Sequence, residues 1–319
     1  MSWFNFQFQD FAFSFLSVLF EGLPFLLLGS LIAGLVDVFV PAERMARWLP
    51  KNTGASIFAG GLLGLVLPMC ECGSVVVIRR FIKKGLPVSC AVAYMLGAPI
   101  VSPIVALSTF AAFKGQNPWL MTSLRLGIGF LIAVAVGFIV RQIRVEKLLQ
   151  PKILNDLPDR RRSGLRVSTD ESQRDFAELG ANAGTFRKVL LSVQSATSDF
   201  LDVAFFFVIG TAITSVFNTA IHREVIEPFA ANPGVAIPAM MALAAALALC
   251  SSTDAFIAAT FTTFPFAAKL AFMLFGPVFD LKLFFLYSLV FRRRFVILLG
   301  LGLFVSIAFI CWRLSALNL

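Results

Sequence analysis

Long apolar runs constrain this chain more than any other feature. A helix that crosses a bilayer needs about 20 mainly apolar residues. Runs of that kind occupy 11–40, 86–112, 119–140, 194–221, 266–291 and 295–315. Two shorter runs, Gly-rich 54–69 and Ala-rich 234–250, end at a cysteine. Each is followed by a short mixed segment, 70–84 and 250–264. These segments are too short for an ordinary span and read as half-helices, re-entrant turns or short crossings buried in protein. Only 14% of the residues are charged, and Phe contributes 36 against two Tyr, which suits side chains facing lipid. The expected fold is an all-α polytopic membrane protein, multi-pass in the cell inner membrane, with the lipid bilayer as its solvent.

The net charge of +9 does not point to nucleic acid. The basic residues cluster at the ends of apolar runs and in one linker, as they do in cytoplasmic loops of membrane proteins. That linker, 141–193, contains Asp159-Arg160-Arg161-Arg162-Ser163-Gly164 and few large apolar groups, and reads as solvated. It divides a first transmembrane repeat, 1–140, from a second, 194–319. The N-terminus has no basic region ahead of its apolar stretch, so a cleaved signal peptide is not expected. Cys70, Cys72, Cys90, Cys250 and Cys311 lie in or beside apolar runs, which argues against a secreted disulfide framework.

The two sides of the linker resemble each other in four blocks that keep their order. Glu21–Ser30 matches Asp202–Thr211, and Leu67–Cys70 matches Leu247–Cys250. Ala93–Ile100 matches Ala271–Val278, and Leu126–Gly129 matches Leu299–Gly302. This pattern indicates duplication. Charge bears on the orientation. With about five membrane segments per half, Arg44, Arg47, Lys51 and Arg292, Arg293, Arg294 join Arg79, Arg80, Lys83, Lys84 and the linker inside. Lys114, Arg223, Lys269 and Arg313 remain outside. That arrangement is an inverted-topology repeat. Four segments per half, in parallel, is the alternative and leaves six basic residues on the wrong side.

Inverted repeats hold substrate near the midplane, where helices break. The chain breaks at equivalent places, Leu67-Pro68-Met69-Cys70-Glu71-Cys72-Gly73-Ser74 and Leu249-Cys250-Ser251-Ser252-Thr253-Asp254. Pro68 removes a backbone donor, Gly73 allows unusual dihedrals, and Ser251, Ser252, Thr253 and Asp254 are helix N-cap types. Cys70, Cys72 and Cys250 offer soft ligands, suited to thiophilic species; the plainer reading is small residues in tight helix contacts. Glu71, Asp254 and Asp280 are carboxylates in apolar surroundings and candidates for proton coupling. Asp280 and Lys282, two apart, are not expected to share a helix face. Gly97-Ala98-Pro99 with Ser102, and Gly276-Pro277 with Asp280, form a second pair of breaks, either facing substrate or supplying kinks. Gly127, Gly129, Gly300 and Gly302 are expected to permit close helix contact.

The only histidine, His222, falls in an expected outer loop. Walker A, Ser-His-Asp, His-Glu-x-x-His and paired Cys-x-x-Cys patterns are absent, so neither an enzyme nor a metal or cofactor site is expected.

Leu67-Pro68-Met69-Cys70-Glu71-Cys72-Gly73-Ser74, followed by Arg79-Arg80, Lys84-Gly85 and Gly97-Ala98-Pro99, resembles the predicted-permease family that includes the organoarsenical exporter ArsP. Cys250–Asp254 is similar to that family's second repeat. The resemblance implies a membrane permease, with some members exporting trivalent organoarsenicals, and Cys70 and Cys72 as ligands. The resulting expectation is a secondary transporter for a small-molecule or ion substrate, thiophilic or anionic. Two alternatives stay open. One is a membrane thiol redox protein whose thiols are activated by nearby Arg79 and Arg80; the other is a membrane subunit that needs a soluble partner. Homo-oligomerisation is also open. The five-plus-five arrangement predicts that tags on both termini are reached from the periplasm; a C-terminal tag protected until the membrane is opened would reject it.

Overall fold

The computed structural model describes residues 8–39, 52–67, 69–155, 185–220 and 233–316. Pro68, Arg44, Arg47, Lys51, His222, Arg223 and most of the linker lie outside them. The described residues form fourteen helices, with a single isolated bridge between Leu149 and Phe291.

Twelve helices form two series of similar lengths. The first is α1 (Phe8–Phe39, 32 residues), α2 (Thr53–Val66, 14), α3 (Glu71–Lys83, 13), α4 (Val88–Gly97, 10), α5 (Pro103–Ala112, 10) and α6 (Pro118–Arg141, 24). Two short helices follow, α7 (Val145–Leu148) and α8 (Pro151–Asn155). The second series is α9 (Thr185–Ala220, 36), α10 (Pro233–Leu247, 15), α11 (Asp254–Thr260, 7), α12 (Phe266–Phe275, 10), α13 (Leu281–Val290, 10) and α14 (Arg293–Ala316, 24). Helix α9 begins at Thr185, inside the stretch read from sequence as linker.

Four helices, α1, α6, α9 and α14, are long and apolar enough to cross a membrane. At 1.5 Å per residue, helices of 10 to 15 residues reach only about 15–23 Å and stop short of a hydrocarbon core about 30 Å thick. The runs at 86–112 and 266–291 are thus each two ten-residue helices interrupted at residues 98–102 and 276–280.

Glycine contacts give the directions of the helices. A carbon added at Gly22 would clash with the tip of the Phe207 ring, and one at Gly34 would lie 3.0 Å from Ala196 Cβ, so α1 and α9 are antiparallel. Gly61 faces Phe130 and Val134 while Gly54 faces Phe138, so α2 is antiparallel to α6. Gly60 lies against Cys90 and Gly64 against Ala98, so α2 is parallel to α4.

Helix α6 marks the two ends of the molecule. Beyond its C-terminus, Gln150 Nε2 donates to the Ser288 and Phe291 carbonyls at 3.0 and 3.2 Å, and Arg292 donates to Leu149 O at 3.1 Å. Before its N-terminus, Gln116 donates to Ala259 O at 3.5 Å and accepts from Lys269 Nζ at 3.0 Å. The α2–α3 hairpin therefore has its base at the Gln150 end, while α11 finishes at the Gln116 end. The tips of the α2–α3 and α10–α11 hairpins meet between the two ends.

Helices in lipid gain no hydrophobic association energy and rely on close approach of small residues. A Cβ at Gly29 would stand 2.9 Å from Gly73 Cα, backbone against backbone. An added Cβ at Gly129 or Gly300 would meet a side chain, Ile100 or Phe279, whereas at Gly127 and Gly302 it would meet no neighbouring heavy atom within 4 Å among the described residues, which corrects the expectation of contact there. Gly29→Ala is expected to lower stability by about 1–3 kcal/mol, and Gly302→Ala to be neutral or slightly stabilising. Thermal unfolding in detergent checks both; equal effects would contradict this packing.

Candidate functional site

The first hairpin tip turns at Leu67, whose N–H still reaches Leu63 O at 2.8 Å. Cys70 then caps α3, its Sγ accepting from Gly73 N at 3.4 Å, while Glu71 and Cys72 occupy the first turn and are buried. Ser74 hydroxyl donates back to Glu71 O at 2.8 Å. Gly73 is an ordinary helical residue, and its smallness serves the contact with Gly29 rather than an unusual dihedral.

The second tip carries the unusual backbone. Ala248 adopts φ 46°, a left-handed conformation that costs a residue with a Cβ about 1–2 kcal/mol. Its carbonyl points to Lys282 Nζ, 2.9 Å away. Cys250 O accepts from the Thr253 and Asp254 amides, both at 3.0 Å, which closes the turn into α11. Thr253 is the N-cap but makes no side-chain cap bond; its hydroxyl donates to Glu21 Oε1 of α1 at 2.6 Å. Capping by the Ser-Ser-Thr-Asp group is therefore not what holds this tip. Ser252 donates to Cys250 Sγ at 3.7 Å.

Each tip is gripped by a cation from the other half of the chain. Lys282 Nζ lies 3.1 Å from Glu71 Oε1, and both side chains are almost wholly buried. Arg125, fully buried in α6, donates through Nη2 to both oxygens of Asp254 at 2.9 and 2.7 Å and to Ser251 O at 2.9 Å. Its Nη1 donates to Thr109 Oγ1 at 2.8 Å and meets Met273 Sδ at 3.7 Å. Glu71 and Asp254 are each the first residue of a helix, where a negative charge is favoured.

Asp280 caps α13, its Oδ1 accepting from Leu283 N at 2.6 Å. Because it stands outside the regular helix, its Oδ2 comes within 3.6 Å of Lys282 Nζ, which corrects the expectation that residues two apart stay separate. Between the tips lies a cavity of ≈ 10 Å³, room for about one water. Cys70, Glu71, Cys72, Cys250 and Lys282 line it, with Val18, Glu21, Gly22 and Phe25 of α1 and Phe207 of α9 opposite. Cys250 Sγ is 4.0 Å from Glu71 Oε2. All five cysteines are free thiols, and among the described residues no three His, Cys, Asp or Glu side chains converge to hold a metal ion.

Of the sequence candidates, Cys70, Glu71, Cys72 and Cys250 come together at the cavity, with Asp280 joined through Lys282 and Thr253 through Glu21. Ser251 and Asp254 form the neighbouring Arg125 cluster. Pro99 and Ser102 lie in the α4–α5 break and Pro277 in the α12–α13 break, away from the cavity lining. Arg79 is not beside the thiols: it pairs with Asp202 at 3.1 Å and Asp199 at 3.7 Å, and Arg80 pairs with Asp199. Sequence reasoning passed over Arg125. Its signal was present as a lone charge within the apolar run 119–140.

A family model described as "predicted permease" matches residues 7–314. This chain belongs to that permease family. UPF0718 protein YcgR of Bacillus subtilis (strain 168) is 33% identical over 287 residues, covering 89% of the permease and 90% of the relative. A putative two-component membrane permease complex subunit of Streptococcus mutans is 29% identical over 288 residues, covering 89% and 87%. UPF0718 protein YraQ of Escherichia coli (strain K12) is 27% identical over 137 residues, 41% of the permease and 37% of that protein. No solved structure matches the permease. The family implies a multi-pass membrane transporter rather than an enzyme.

Removing one partner of a buried ion pair leaves an uncompensated charge. Arg125→Met is expected to destabilise the permease by about 3–5 kcal/mol, and adding Asp254→Leu to recover much of that loss. Thermal unfolding of both variants measures it; a double variant no more stable than the single would refute the pairing as described.

Proposed function

We propose that the chain is a secondary transporter of the cell inner membrane that exports a small thiophilic or anionic solute, arsenical-like by family resemblance, through the cavity between the two hairpin tips. The observation that carries this reading is the cavity itself: two interrupted helix pairs bring Cys70, Cys72 and Cys250 to one small space beside buried charges. Broken helices at mid-depth are where transporters bind their cargo.

An inverted repeat is the arrangement that best accounts for the helix series. Five of the six helices in each series have nearly the same length in the same order, α3 and α11 (13 and 7 residues) being the exception, and the first members, α1 and α9, run antiparallel. The repeats would be 1–140 and 194–319, joined by a cytoplasmic linker at 141–193. The base of the α2–α3 hairpin would then face the cytoplasm, and α11 would end toward the periplasm. Such a pair of hairpins offers one gate to each side. Glu71, Asp254 and Asp280 are the groups through which a proton gradient would drive export.

The partner-dependent reading has one observation in its favour, the Streptococcus mutans relative named as a subunit of a two-component complex. The thiol redox reading named Arg79 and Arg80 as the activating charges, and these pair with Asp202 and Asp199 of α9, while Lys282 is the cation that lines the cavity with the cysteines.

Cys70→Ser with Cys72→Ser is expected to abolish resistance of a sensitised strain to a trivalent arsenical, with protein level in the membrane unchanged. Flux of the same compound into proteoliposomes of the purified chain is expected to fall in parallel. Undiminished resistance would reject thiol ligation, and flux that appears only after a second protein is added would favour the complex.

A further inference from the structure

The two ion pairs that grip the hairpins are unequal. Arg125 holds Asp254 with both carboxylate oxygens engaged, binds Ser251 O, and is itself fixed by Thr109. Lys282 holds Glu71 through one oxygen only, at 3.1 Å. The same ammonium also holds Ala248 O of the other tip, so one flexible side chain ties both hairpins together. A second carboxylate stands ready for it. Asp280 Oδ2 is buried, has no hydrogen-bond partner among the described residues, and lies 3.6 Å from Lys282 Nζ, in ion contact but just beyond hydrogen-bond reach. A buried carboxylate oxygen that accepts no hydrogen bond is unfavourable, and a shift of well under an ångström would supply one.

We propose that Lys282 is a movable positioning residue. It keeps the α2–α3 hairpin closed by pairing with Glu71, and it passes to Asp280 when that hairpin opens toward the cytoplasm, while Arg125 and Asp254 keep the α10–α11 tip in place. A lysine suits this part, being a point charge on a flexible stem, whereas the planar fork of arginine suits the fixed pair. The ammonium keeps a partner throughout, and Glu71, carried toward the cytoplasm with the opening hairpin, is hydrated instead of being left in the low-dielectric interior, which lowers the barrier to separating the buried pair. In the transport reading, on which this proposal rests for its purpose, the transfer exposes Cys70 and Cys72 to one side of the membrane only.

The test uses the full chain with Cys72, Cys90, Cys250 and Cys311 replaced by Ser, so that Cys70 is the single thiol. A membrane-impermeant maleimide is applied to inside-out and right-side-out vesicles. Lys282→Met is expected to speed Cys70 labelling from the cytoplasmic face by at least about tenfold, since it removes a buried pair, and to leave the periplasmic rate unchanged. Asp280→Asn retains an oxygen to cap Leu283 and leaves Glu71 paired. It removes only the second station and is expected to slow cytoplasmic labelling several-fold.

The proposal is overturned if Lys282→Met leaves the rate unaltered or raises it equally from both faces. It is also overturned if Asp280→Asn fails to slow labelling, an outcome that remains readable should Lys282→Met not fold. Labelling needs no cargo. One-sided labelling, with no arsenical flux by the chain that keeps all its cysteines in proteoliposomes, would keep the movable lysine and remove the transport reading; flux by that chain with unaltered labelling would remove the lysine alone.

Discussion

A helix that stops inside a bilayer leaves amides and carbonyls with no water to satisfy them, and everything in this fold depends on how those groups are paired. Two basic side chains act in the same way. Each donates a hydrogen bond to a carbonyl bared at the α10–α11 tip, Lys282 to Ala248 O and Arg125 to Ser251 O. Each also neutralises a carboxylate at the first turn of a returning helix, Glu71 or Asp254. Desolvating each ion costs several kcal/mol, so neither charge is tolerable alone. Lys282 and Arg125 come from elements remote in sequence from the carboxylates they serve. The tips can therefore form only when the two halves of the chain have assembled.

Assembly in turn rests on small residues. Helices surrounded by lipid attract one another by contact and hydrogen bonding alone. Gly29 against Gly73 brings α1 onto the start of α3, and Gly64 against Ala98 seats α2 beside the α4–α5 break. Gly210 lets α9 approach Lys282 itself, with a would-be Cβ only 2.9 Å from Lys282 Cα. The glycines thus set the depth at which the charged groups meet. Phe207, pressed against Gly22, closes the same space from the side of α9, so packing and chemistry share the residues that border the cavity.

Much of this organisation is legible in the residue order. Apolar run length finds the four long helices but also admits 86–112 and 266–291, each of which is two ten-residue helices parted at Gly97-Ala98-Pro99 or Gly276-Pro277; the Cys-containing breaks stand out because Pro, Gly, Ser and Asp interrupt otherwise unbroken apolar sequence. What stays hidden is partnership. Glu71 and Asp254 announce themselves as costly charges, but nothing local says that one meets Lys282 and the other Arg125, more than a hundred residues away along the chain. Asp280 misleads because helix periodicity is applied to a residue that stands one position outside the helix. Thr253 misleads in a similar way: its type suits a cap, yet a carboxylate on α1 competes for its hydroxyl and wins. Ala248 gives no sign of its left-handed backbone, since a glycine would be the usual occupant.

The distribution of thiols follows from these constraints. A soft solute needs sulfur at a place it can reach, and a site that must open needs a tip whose bonds can be exchanged without stranding a charge. The α2–α3 tip meets both conditions: it carries Cys70 and Cys72, and a single flexible ammonium with an alternative carboxylate at hand holds its leading charge. The α10–α11 tip contributes one thiol, Cys250, and is fixed by a guanidinium with several simultaneous bonds. Cys250 sits 4.0 Å from Glu71, so the fixed tip presents its sulfur toward the exchangeable pair. Unequal grips on two otherwise similar hairpins give the assembly a preferred place to open, and the thiols are concentrated there.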